Sequence, residues 1–92
     1  MNRVSESYSP RVVTATGLVD TGDGVVAGMI VSSGTALTVK LWDNTAASGT
    51  VIMETTTPVT PAQPFFLPIA CAYSTGLFVT IGGTGAITLL IE

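Results

Sequence analysis

Ninety-two residues suffice for one domain. Hydrophobic residues make up 47% of the chain and charged ones 10%, against about 25% in an ordinary soluble domain. Disorder requires low hydrophobicity and high charge, so this composition excludes it. The net charge is −3, and the only cations are Arg3, Arg11 and Lys40. Three scattered cations cannot neutralise a phosphate backbone or build a polybasic membrane patch, so nucleic acid and membrane are not expected partners.

In chain order, the first ten residues, MNRVSESYSP, lack both hydrophobic periodicity and the apolar core of a secretion signal. They are expected to form a flexible arm, with one β-domain over residues 11–92. Tyr8 and Arg11 are candidate anchors in that region, because Tyr and Arg are enriched where interfaces bind most tightly. The next stretches rich in β-branched residues predict strands over Arg11–Leu18, Val25–Ser32 and Ala36–Trp42. The turn cluster Asp20-Thr21-Gly22-Asp23-Gly24 separates the first two, and Ser33-Gly34 reads as a tight hairpin between the second and third. In ALTVKLWD, Leu37, Val39 and Leu41 share one face, opposite Thr38, Lys40 and Trp42. Trp42 is therefore expected to point away from that apolar face and to find a polar partner for its indole N–H.

Asp43 and Asn44 end this strand and are expected to bond their own downstream backbone. A strand over Thr50–Thr55 follows the small-residue loop. Thr56 to Pro68 contains Pro58, Pro61, Pro64 and Pro68, which predicts an extended crossover or edge. Further strands are expected over Pro64–Ala72, Gly76–Ile81 and Ala86–Ile91, the last two joined by a hairpin at Gly82-Gly83-Thr84-Gly85. About seven short strands, with breakers every eight to twelve residues, predict a compact antiparallel β-sandwich of jelly-roll or Greek-key type.

No enzyme chemistry emerges. The chain has no His, which removes Ser-His-Asp and Cys-His catalysis and the common zinc sites. The lone Cys71 sits in an apolar run and reads as a small hydrophobe. DTGDG lacks the spacing and closing Glu of a calcium loop, and GGTG precedes no helix that could cradle phosphate. No catalytic residue, cofactor or metal is expected.

Three segments, LTVKLWD with its DNTAASGT turn, GVVAGMIVSSG, and GLFVTIGGTGAITLLIE, resemble small virion structural proteins of tailed bacteriophages. The resemblance spans about two thirds of the chain. It implies a decoration or cement protein on the capsid exterior, made in the host cytoplasm and bound to the major capsid protein or other virion proteins. The scarcity of charge fits a surface covered by neighbours, so a homo-oligomer, in the first place a trimer, is expected. Tyr8, Arg11, Lys40, Trp42, Asp43 and Asn44 are the candidate interface residues. Two alternatives are a tail or head-fibre component, and a carbohydrate-binding module in which Trp42 stacks on sugar and Asp43 and Asn44 hold its hydroxyls.

Overall fold

The computed structural model describes residues 9–55, 58 and 60–92. Its strands are β1 (Ser9–Val13), β2 (Gly17–Thr21), β3 (Gly24–Asp43), β4 (Thr50–Glu54), β5 (Phe65–Tyr73) and β6 (Gly76–Ile91). The expected antiparallel all-β class holds, with six strands in one hydrogen-bonded sheet rather than about seven. Two of them are long. β3 has 20 residues and β6 has 16.

Their length forces the architecture. A straight 20-residue strand would span about 66 Å. The longest dimension of the molecule is 39 Å. β3 and β6 must therefore bend, and they bend together where Gly34 faces Gly85 and Thr35 faces Thr84. On one side of the bend, β1 flanks β6 and β5 flanks β3. On the other side, β2 flanks β6 and β4 flanks β3. The molecule is thus a ribbon folded in half. Its first half-sheet runs β1-β6-β3-β5 and its second runs β2-β6-β3-β4.

Both expected hairpins, at Ser33-Gly34 and at residues 82–85, are bends instead. Each lies inside a continuous strand, so the two predicted strands on either side become one. The breakers were real, but the chain crosses them without reversing. β3 gains extra residues relative to β6 on both sides of Gly34, and these bulges increase curvature. Ala36 takes φ 51° to make one of them. The first predicted strand, Arg11–Leu18, breaks in two at Thr14–Thr16 because the edge must also turn the corner. Ser9, two residues before the expected start, already pairs with Ile91. The crossover expected from Thr56 to Pro68 joins β4 of one half to β5 of the other, although Thr56, Thr57 and Val59 lie outside the described residues.

Alternation gives the core. Met29, Val31, Leu37, Val39 and Leu41 of β3 meet Leu77, Val79, Ile87, Leu89 and Ile91 of β6 in one buried cluster. All are at odd positions, so one face of the ribbon lines the inside of the fold on both sides of the bend. Burying an aliphatic side chain of this size is worth about 1.5–3 kcal/mol, which makes this cluster the main source of stability.

Candidate interaction surfaces

The end opposite the bend is closed by carboxylates. There the β2–β3 and β5–β6 turns pass between the two half-sheets and bond each other, with the Gly22 N–H donating to the Thr75 carbonyl at 3.0 Å. Tyr73 ends β5 with its ring buried, and its hydroxyl donates to Asp20 Oδ2 at 2.7 Å. Burial of the phenol, then the hydrogen bond and negative charge of Asp20, push the Tyr73 pKa well above its ordinary value. Asp43 accepts backbone N–H bonds from Ser74 at 3.0 Å and Thr75 at 2.9 Å through Oδ1. The Thr75 amide is the chief reason its carboxyl is held below the usual range. Asp43 was expected to bond its own downstream loop, but it clasps a turn more than thirty residues away. Asn44 does serve its own loop: its amide nitrogen donates to the Ser48 carbonyl at 2.8 Å, and its Oδ1 accepts from the Thr45 N–H.

Lys40 and Trp42 lie on the outer face of the second half-sheet, away from Leu37, Val39 and Leu41, as alternation predicted. Cross-strand register sets Leu18, Phe78, Trp42 and Val51 in one row across all four strands. The next row is polar, with Thr80, Lys40 and Glu54. The indole N–H donates to Thr80 Oγ1 at 3.0 Å, the polar partner the sequence called for. The Lys40 ammonium sits 4.4 Å from the Trp42 ring centroid and 3.7 Å from Glu54 Oε2. One ring face and the indole donor are therefore engaged within the sheet. A shallow pocket of about 260 Å³ beside this row is lined by Thr38, Lys40, Glu54, Thr55 and Thr80.

Arg11 is on a different side of the molecule. Its guanidinium Nη1 donates to the Val19 carbonyl at 3.0 Å, joining β1 of one half to β2 of the other. Val19 is the extra residue of a bulge in β2, so Arg11 supplies a partner to a carbonyl displaced from the regular ladder. A groove of about 400 Å³ runs between these two edges, past Val12 and Leu18. Tyr8 lies outside the described residues. Of the six candidates, the fold brings Lys40, Trp42, Asp43 and Asn44 to one stretch of the second half-sheet and keeps Arg11 apart from them.

None of the described candidate residues lies on the outer face of the first half-sheet. Register places Val12, Thr88, Ile30 and Phe66 in one row across it. A second row holds Pro10, Leu90, Gly28 and Pro68. Val12 is 71% exposed and Phe66 53%. The Phe66 ring lies over Gly28, where any β-carbon would strike it. PFFLPIACAY carried the signal for this face: neither set of alternate positions contains a charge, so both faces of β5 are apolar.

No reactive arrangement appears among the described residues. Cys71 is half-buried, packs against the core and points its thiol at the Ile69 carbonyl. Asp20 and Asp43 are committed to the clasp. No three metal-ligating side chains converge among the described residues. No protein-family model, curated protein or solved structure matches the chain.

Proposed function

We propose that this protein is a non-enzymatic structural protein of a bacteriophage virion that works by burying surface, in the first place as a decoration protein on the capsid exterior. The observation that carries this reading is the outer face of the first half-sheet, which is uncharged between its margins and mostly apolar, with Val12 and Phe66 exposed on either side of the half-buried Ile30, Thr88 and Leu90. Monomeric soluble proteins rarely expose a large contiguous apolar patch, and such patches mark sites of association. The resemblance of LTVKLWD, DNTAASGT and GLFVTIGGTG to phage virion proteins supplies the particle.

The mechanism is linkage. A protein that binds the assembled shell but not its free subunits adds its binding free energy to the shell, by RT ln(1 + [L]/Kd) per site. At a concentration one hundred times Kd this is about 2.7 kcal/mol per site, repeated over every equivalent position. The test uses heads of the encoding phage assembled without this protein. Purified protein added at micromolar concentration should co-sediment with them to a fixed stoichiometry and raise the temperature at which they release DNA. Protein that stays in the supernatant, with no change in that temperature, refutes the proposal.

A further inference from the structure

The edges and the faces of this sheet are built differently, and the difference selects the surface that associates. A β-sheet edge offers unpaired N–H and C=O groups to any passing strand, and soluble proteins commonly guard it with Lys. None of the four edge strands here carries a Lys. Each is instead irregular: β1 contains Pro10, β2 has a bulge at Val19, and β4 has one at Ile52. β5 combines Pro68 with a bulge at which Ala70 adopts φ 54°. Proline removes a donor and a bulge twists the ladder, so strand addition is resisted on both sides of the molecule.

We propose that the outer face of the first half-sheet packs against the same face of a second copy about a two-fold axis, with the free edges left unpaired. This rests on reading the protein as one that works by surface burial, and it names the first partner as the chain itself. At about 4.8 Å between strands and about 3.3 Å per residue, the 5 residues of β1, the 9 of β5 and the paired stretches of β6 and β3 between them give a face of roughly 430 Å² in projection. Two copies would cover roughly 850 Å² in projection, and the relief of the side chains raises this toward the lower limit of about 1,200 Å² for specific interfaces. A two-fold contact sets a patch against itself, so any charge on it would meet its like. Val12, Ile30, Phe66 and Leu90 carry none, and Glu92 stands at the margin. In such a dimer the shell would be met by the other outer face, where Leu18 and Val51 are exposed beside the Lys40–Glu54 pair.

The experiment is light scattering of the full chain from about 5 to 200 µM, with Val12→Lys and Val51→Lys beside it. Both side chains are exposed, on opposite faces, so thermal melts should show both variants folded. The expected result is twice the chain mass for wild type and Val51→Lys. Val12→Lys should weaken the dimer at least about tenfold, because a charge would be buried at the contact. A wild-type monomer or trimer overturns the inference, as does an oligomer that Val51→Lys breaks and Val12→Lys does not. A monomer that still binds heads removes the dimer and leaves the proposed function standing. A dimer that ignores heads does the reverse.

Discussion

The bend can be tested by placing one methyl group at two glycines that share a backbone conformation but not a neighbourhood. Gly22 has φ 84° and Gly83 has φ 74°. Any L-residue at either position bears the cost of left-handed geometry, about 1–2 kcal/mol. At Gly22 a β-carbon would meet nothing within 4 Å, so Gly22→Ala should cost only that strain. At Gly83 it would overlap the Ala36 carbonyl oxygen and lie 2.8 Å from the Thr35 carbonyl oxygen. Those atoms are backbone of the facing strand and cannot rotate aside. Overpacking of this kind costs typically about 1–3 kcal/mol more, so Gly83→Ala should lose about 2–5 kcal/mol in all. For a domain of this size each kcal/mol lowers Tm by about 4–8 °C.

Gly22→Ala should therefore melt about 4–16 °C below wild type, and Gly83→Ala about a further 4–24 °C below Gly22→Ala. Circular dichroism melts, with urea titrations to confirm an unchanged m-value, would measure both. The excess at Gly83 is diagnostic because it arises only if β3 lies directly against it. A hairpin at residues 82–85 would also need positive φ there, but it would bring no Ala36 carbonyl into contact. Equal losses at the two glycines would refute the folded ribbon.

Other consequences follow from single contacts. Ala36→Gly should raise stability by about 0.5–1 kcal/mol, because Ala36 sits at φ 51°, and a rise in urea midpoint would register it. Thr80→Val should cost about 1 kcal/mol by orphaning the indole N–H of Trp42, and Lys40→Met should alter the emission of this single tryptophan. Asp43 has a lowered pKa in the folded state, so its contribution is present above its ordinary value of 3.8 and is lost as pH falls through the folded value. Asp43→Ala should flatten that acid limb of the stability profile. For Tyr73 the folded pKa is raised, so its contribution is intact below about pH 10 and fades as pH climbs through the folded value. Tyr73→Phe should weaken that alkaline loss, measured as Tm between pH 8 and 11.

What could be read from the chain was mostly what depends on local alternation. Leu37, Val39 and Leu41 fall on the core face, and so do Leu77, Val79, Ile87 and Leu89. Trp42 turns outward and finds a polar partner for the same reason. What could not be read depends on distant partners. Ser33-Gly34 and Gly82–Gly85 satisfy the local chemistry of a hairpin and of a bend equally well. The choice is made by the facing strand, since β3 and β6 each carry breakers where the other does. Asp43 looked like a local turn residue because nothing near it in sequence reveals Ser74 and Thr75 as its partners. The apolar outer face of β5 was visible in PFFLPIACAY, but an uncharged run reads as a buried strand until the topology leaves it at an edge.

The fold also explains how so few charges can serve. A sheet with Lys on its edges remains a monomer by repelling strands everywhere, on edges and faces alike. This chain separates the two problems. Bulges and prolines at Pro10, Val19, Ile52, Pro68 and Ala70 spoil the geometry of strand addition without an edge lysine. The faces then need no polar cover against edge-on aggregation, and the outer face of the first half-sheet stays largely apolar. Carboxylates are placed where they close the fold: Asp20 holds Tyr73 and Asp43 holds Ser74 and Thr75. A chain built this way should tolerate new charges on the outer faces more readily than the loss of Asp20, Asp43 or the glycines of the bend. If Val12→Lys and Val51→Lys proved as damaging to folding as Gly83→Ala, the assignment of those faces to the outside would be wrong.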